Sequence, residues 1–105
     1  RISDDMIQYL KEKENLVLYN SYNLGGYLIY KDIPVFIDSR ADIYIDCNFN
    51  DVCQIEKGYQ PDLLEKYNFN AFIIENKSGA YSYLKNNDNY ELYMQDENNS
   101  LFIKK

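Results

Sequence analysis

The sequence has no histidine and no tryptophan, and only two cysteines, two prolines and four glycines. Without an imidazole there is no Ser-His-Asp or Cys-His nucleophile pair, no His-based zinc site and no imidazole acid or base. Any chemistry falls to carboxylates, tyrosine or lysine. Cys47 and Cys53 are too few for a Cys-only zinc site. On one helix, their separation would put them about 9 Å apart along the axis and on different faces, beyond disulfide reach, so they are read as buried thiols, with a bridge as the lesser alternative. No apolar run approaches the ~20 residues that span a bilayer, and no basic-then-apolar leader opens the chain. Clustered basic residues are also missing. With lysines and arginines scattered and a net charge of -6, no nucleic-acid partner is expected, and an anionic membrane surface would weakly repel the chain.

What is present fits one folded body. A chain of 105 residues, 46% hydrophobic and 27% charged, has material for a single core and an ordinary globular composition, here enriched in Tyr (12 residues) and Asn. Ser3 predicts an N-cap, with Asp4 and Asp5 in the first turn, Ile2 placed to staple against Ile7, and an apolar stripe of Met6, Ile7 and Leu10 carrying a helix to about Glu12. Leu16 to Tyr19 reads as a buried strand, and Tyr22 to Tyr30 as a short helix capped near Ser21. Pro34 opens a strand, Val35 to Ile37, that ends at Asp38. Cys47, Phe49, Val52, Cys53 and Ile55 outline a helix from about Asp46 to Lys57 that stops at Gly58. Pro61 starts another, ending at Asn68. Ala71 to Ile74 is the most apolar run and the expected sheet centre. Ser78 caps a helix through Tyr81 and Leu84, and Tyr90 to Gln95 and Leu101 to Lys104 form a hairpin about the turn Asp96 to Asn99. The order of elements predicts an α/β fold: a mixed, mainly parallel sheet of about five strands, helices on both faces, and a C-terminal antiparallel hairpin at or near one edge.

In such folds ligands sit beyond the carboxyl ends of the strands. Asp38, Arg40 and Asp42 follow one such end in GGYLIYKDIPVFIDSRADIY, and Asn20, Asn23, Gly25 and Gly26 follow another. Together with Tyr44 they form the candidate ligand-binding set, offering donors to a sugar or phosphate. Arg40 either receives a phosphate or bridges the two aspartates and pins the loop; the bridge is favoured, and it makes the pair a poor metal site. Gly25 and Gly26 lack the spaced third glycine or following lysine of nucleotide-binding fingerprints, so close packing outweighs an anion nest. No catalytic residue, metal or cofactor is assigned.

The Gly-Gly-Tyr-Leu segment followed by VFIDSRADIY resembles the C-terminal extracytoplasmic region of bacterial multi-pass membrane proteins, themselves similar to lipid-linked-sugar (GT-C type) glycosyltransferases. KYNFNAFIIENKS and the closing hairpin extend the resemblance over nearly the whole chain. Two positions depart from the family pattern: Leu24 stands where Trp is usual, and Ser39 where Gly is usual. The resemblance implies a soluble domain belonging to the C-terminus of a longer membrane protein, an expectation with which the opening Arg1 agrees. It further implies a place on the extracytoplasmic face of the cell membrane, sugar or lipid-linked sugar as partner, and a catalytic centre elsewhere in the parent. The alternative is a small free-standing, carboxylate-dependent enzyme acting on a phosphorylated or sugar substrate.

Overall fold

The computed structural model describes residues 2–43 and 46–105. Its N-terminal helix, α1 (Asp4–Glu12), begins where the cap chemistry places it: the Ser3 hydroxyl accepts from the Met6 amide at 3.3 Å, and Met6, Ile7 and Leu10 are buried. Strand β1 (Leu18–Asn20) follows, and then a 3-10 turn (Tyr22–Leu24) that runs directly into α2 (Gly25–Tyr30). Further along come a second 3-10 turn (Cys47–Phe49), α3 (Asp51–Glu56) and a 3-10 helix (Pro61–Lys66). The chain closes with β2 (Ala71–Glu75), α4 (Gly79–Lys85), β3 (Tyr90–Gln95) and β4 (Asn99–Lys104).

Among the described residues the sheet has four strands in the order β1-β2-β4-β3. Only β1 and β2 are parallel, with Tyr19 opposite Phe72; β4 runs antiparallel to both β2 and β3. The expected sheet of about five mainly parallel strands is therefore corrected to a four-stranded mixed one. The hairpin does lie at one edge, and the apolar run at Ala71 is central.

Alternation along the strands divides the core between two faces. Leu18, Ala71, Ile73 and Leu101 point toward α1 and α2, where Ile2, Met6, Leu10, Leu24 and Leu28 meet them. Tyr19, Phe72, Ile74 and Phe102 point the other way, toward Ile55, Leu64, Ala80 and Leu84 from α3, the Pro61–Lys66 turn and α4. Helices thus cover both faces.

The missing strand is Val35 to Asp38. Its backbone does not join a ladder, because the side chain of Asn20 takes the bonds a neighbouring strand would have made: Oδ1 accepts from the amides of Phe36 (2.8 Å) and Ile37 (3.1 Å), and Nδ2 donates to the Ile37 carbonyl (2.9 Å). A second correction concerns the cysteines. The expected continuous helix breaks at Asn50, whose backbone is extended (φ -120°, ψ 110°) and whose Oδ1 caps α3 by accepting from the Cys53 amide. The break folds Cys47 back on α3, bringing the Cα atoms of Cys47 and Cys53 to 5.3 Å, and the two form a disulfide. They are not free thiols.

Gly58 ends α3 with φ +78°, a left-handed stop open to glycine at little cost. There the chain meets Gly79 at the start of α4 so closely that a Cβ on Gly79 would lie 2.2 Å from the Gly58 nitrogen.

Candidate functional site

Asn20, Gly25 and Gly26 meet the loop that carries Asp38, Arg40 and Asp42 beyond the carboxyl end of β1, the loop running from Phe36 to Asp42. Asn20, the last residue of β1, is fully buried. Besides its three bonds to residues 36 and 37, its Nδ2 donates to the Ser21 carbonyl at 3.0 Å, so both amide hydrogens and both carbonyl lone pairs are engaged. Asn20 holds the loop from beneath and has no capacity left for a ligand.

The start of α2 braces the same loop from the side. A Cβ on Gly25 would lie 2.4 Å from the Ile37 carbonyl oxygen and 2.8 Å from the Ser39 nitrogen, so only glycine lets the two backbones meet. The Gly26 amide donates to the Ser39 hydroxyl at 2.9 Å. Ser39 thus occupies the helix start that an anion would otherwise have met.

Above these braces the loop closes on itself. The Ala41 amide donates to the Asp38 carbonyl at 2.9 Å, and the Arg40 amide donates to Asp38 Oδ1 at 2.9 Å, an Asx-type turn. The Arg40 guanidinium folds back on the same carboxylate, with Nε and Nη2 at 2.9 and 2.5 Å from Oδ2. That two-point bond lowers the Asp38 pKa below the usual carboxylate value and raises that of Arg40. The Arg40 side chain is 85% exposed, so the pair lies in water and a ligand can approach it. Asp42 continues the exposed side of the loop, and Tyr44 lies outside the described residues. Asn23 stands apart, donating to Glu75 Oε1 at 3.1 Å and tying the 3-10 turn to the end of β2.

Sequence reasoning missed Glu56. From the end of α3 its Oε2 accepts from the hydroxyls of Tyr19 (2.8 Å), Ser78 (2.9 Å) and Ser21 (3.2 Å), three donors from β1, the cap of α4 and the turn after β1. Ser21 Oγ also accepts from the Glu75 amide at 3.0 Å, locking the ends of β1 and β2 together. Burial pushes the Glu56 pKa up, against the pull of these hydroxyls and the Tyr22 amide. The available signal was a serine shortly after each parallel strand, Ser21 and Ser78.

A cleft of about 380 Å³ adjoins the braced loop on the disulfide side, lined by Phe36, Ile37, Phe49, Asp51, Lys66 and Tyr67 among others. Asp51 Oδ2 accepts from Tyr67 Oη at 2.5 Å and from Lys66 Nζ at 3.0 Å, and both bonds lower its pKa. Among the described residues no group of three or more Cys, Asp or Glu side chains converges as metal ligands do, and no helix is long and apolar enough to cross a membrane. Comparison with protein families, curated proteins and solved structures gives no match to this chain.

Proposed function

We propose that the chain is a noncatalytic extracytoplasmic domain of a membrane glycosyltransferase-like protein, and that it presents the Asp38–Asp42 loop to a sugar or phosphate group or to a docking partner. The observation that carries this reading is the bracing of that loop. Asn20 from below and α2 from the side fix it, while Arg40 stays exposed and keeps guanidinium donors beyond those spent on Asp38. Preorganised donors on a fixed loop suit recognition, because little ordering is left to be done on binding. The Cys47–Cys53 disulfide supports the compartment, since such bonds persist in oxidising surroundings and are rare in the cytosol. Arg40 also holds Asp38 ionised, which is the wrong direction for a general acid or base working near neutral pH.

The second reading, a small carboxylate enzyme, draws its support from Glu56, whose raised pKa is the kind of perturbation catalytic acids show. Its hydroxyl partners tie down three separate elements, which favours a structural hub.

The test is to incubate the 105-residue chain with activated sugars, lipid-linked sugars and phosphate esters, with and without magnesium or manganese, following product formation and amide NMR shifts together. Shifts at residues 38–42 without product are the expected result. Product formation abolished by Glu56→Gln or Asp38→Asn would overturn the noncatalytic reading.

A further inference from the structure

The disulfide loop displays an aromatic ring that the core does not use. Phe49 is 87% exposed, more than any other large hydrophobic side chain among the described residues, yet the loop that carries it is held at many points. The disulfide closes the loop at its base, Gln54 Nε2 donates to the Cys47 carbonyl at 3.0 Å, and Asn50 is fixed by capping α3. The Asn50 amide donates to the Cys47 carbonyl at 3.2 Å and the Phe49 amide to the Asp46 carbonyl at 3.2 Å. An apolar ring kept in water on a rigid support gains nothing for folding. Its bearing on recognition comes from its setting, because with Phe36 and Ile37 it lines a cleft that also holds Asp51 and Lys66.

We propose that the cleft beside Phe49 is a saccharide site, in which the apolar face of a pyranose ring lies on the Phe49 ring and its hydroxyls meet Asp51 and Lys66. The composition of the walls selects this ligand. A pyranose carries C–H groups of partial positive charge on its faces, which suit the negative face of an aromatic ring, and hydroxyls around its edge. Asp51 spends one oxygen on Tyr67 and Lys66, leaving Oδ1 to accept, and Lys66, 60% exposed, keeps further N–H donors. Phe36 and Ile37 form an apolar wall, and the volume of about 380 Å³ is within the usual range for small-ligand sites. A wholly apolar ligand would strand the Asp51–Lys66 pair away from water, and a polyanion would meet Asp51 in a chain of net charge -6. The proposal rests on the reading of the domain as a sugar-contacting module and extends it, because Ile37 in the cleft wall leads directly to Asp38 in the braced loop.

The test is NMR titration of the labelled chain with the methyl glycosides of glucose, galactose, mannose and N-acetylglucosamine and with cellobiose, on the native sequence, Phe49→Ala, Phe49→Trp and Arg40→Ala. Saturable shifts at residues 47–52, 66 and 67 are expected, weakened about tenfold by Phe49→Ala, retained by Phe49→Trp and unaffected by Arg40→Ala. The exposure of Phe49 means that its replacement leaves the fold intact, which the unchanged dispersion of the remaining amides would verify. Silence of these residues toward every glycoside overturns the proposal, as does an undiminished response in Phe49→Ala, or Phe49-dependent retention on phosphatidylcholine vesicles in place of glycoside binding. Shifts at residues 38–42 with none in the cleft would remove this site and leave the broader reading standing. Cleft shifts accompanied by product formation would do the reverse.

Discussion

Replacing Asn20 by alanine should destabilise the domain by about 2–4 kcal/mol and loosen the loop from Phe36 to Asp42. The figure follows from the groups left behind. Asn20 is fully buried, and its amide serves four backbone groups: the amides of Phe36 and Ile37 and the carbonyls of Ile37 and Ser21. A buried polar group left without a partner costs about 1–3 kcal/mol. Phe36 and Ile37 are only half-buried, so water can reach some of the abandoned groups and the sum falls well short of four full penalties. Asn20→Asp separates this account from simple loss of volume. At neutral pH the carboxylate can still accept from the two amides, but it faces the Ile37 and Ser21 carbonyls and is desolvated, so it should be at least as damaging as alanine. On acidification the neutral carboxyl regains one donor, and part of the loss should return. Urea or guanidinium titration at pH 7 and pH 4 measures both, and amide exchange at residues 36–42 reports the loop. A change in stability below about 0.5 kcal/mol for Asn20→Ala, in the range of ordinary surface substitutions, would refute the idea that this side chain stands in for a strand.

Gly25→Ala places a methyl group 2.4 Å from the Ile37 carbonyl oxygen, a backbone atom that cannot swing away, so a loss of about 1–3 kcal/mol is expected by thermal or denaturant unfolding, with the largest NMR changes at residues 37–39. Removing the disulfide by Cys47→Ser with Cys53→Ser should cost about 2 kcal/mol, small because the bond closes a ring across a sequence separation of only 6. Reductant should lower the denaturation midpoint of the native chain toward that of the double variant, and an equal midpoint for all forms would argue against the bridge. Glu56 gives a pH dependence of definite sign. Because its folded pKa is raised above the ordinary 4.5, its contribution to stability is fully present below that value and falls as pH rises through the folded pKa. The difference in unfolding free energy between the native chain and Glu56→Gln should therefore shrink with rising pH across that window, and a difference that grew would contradict the burial of the carboxylate.

Local signals were legible where one residue does one local job. Ser3 and Ser78 cap the helices they precede, with hydroxyls accepting from Met6 and Ala80, and Gly58 stops α3 at a positive φ. The unbroken apolar run Ala71 to Ile74 marked the strand that lies inside the sheet, buried on both faces. Errors arose where a side chain replaced a backbone partner. Val35 to Ile37 has the apolar, β-branched character of a strand, but strand propensity describes fit to a pleated surface and does not say whether a neighbour is free. The neighbour was the Asn20 amide. Likewise the period of Cys47, Phe49, Val52, Cys53 and Ile55 is helical, while the Asn50 side chain competes for the Cys53 amide and starts a new helix there. The convergence of Asn20, Gly25, Gly26, Asp38 and Arg40 was anticipated in place but not in division of labour. Sequence gave no means of telling which of them support the loop and which face outward.

Asparagine is the common element in these cases, and its abundance has a structural cause. Asn70 repeats at the other end of β1 what Asn20 does at its carboxyl end: Oδ1 accepts from the Val17 amide at 2.9 Å, and Nδ2 donates to the Asn15 carbonyl at 2.7 Å. Asn76, just past β2, donates to the carbonyls of Asp96 and Glu97 at 3.1 and 3.2 Å and accepts from Ser100, fastening the hairpin turn to the central strand. Short strands leave many terminal amides and carbonyls unpaired. β1 has three residues, and its ladder alone could not secure the long chain that crosses to β2. A carboxamide carries donor and acceptor together, so one side chain can satisfy both kinds of orphan group without introducing charge. The consequence for function lies in what is left over. With Asn20, Asn50, Asn70 and Asn76 engaged on the backbone, the polar groups left to meet a ligand near the braced loop include, among the described residues, the outer donors of Arg40, the second oxygen of Asp51 and the remaining donors of Lys66. Asp51 and Lys66 line the cleft that Phe36 and Ile37 share with the disulfide loop, whereas Arg40 stands exposed on the braced loop outside that lining, so a ligand held in the cleft and one held by Arg40 are distinguished by which residues respond.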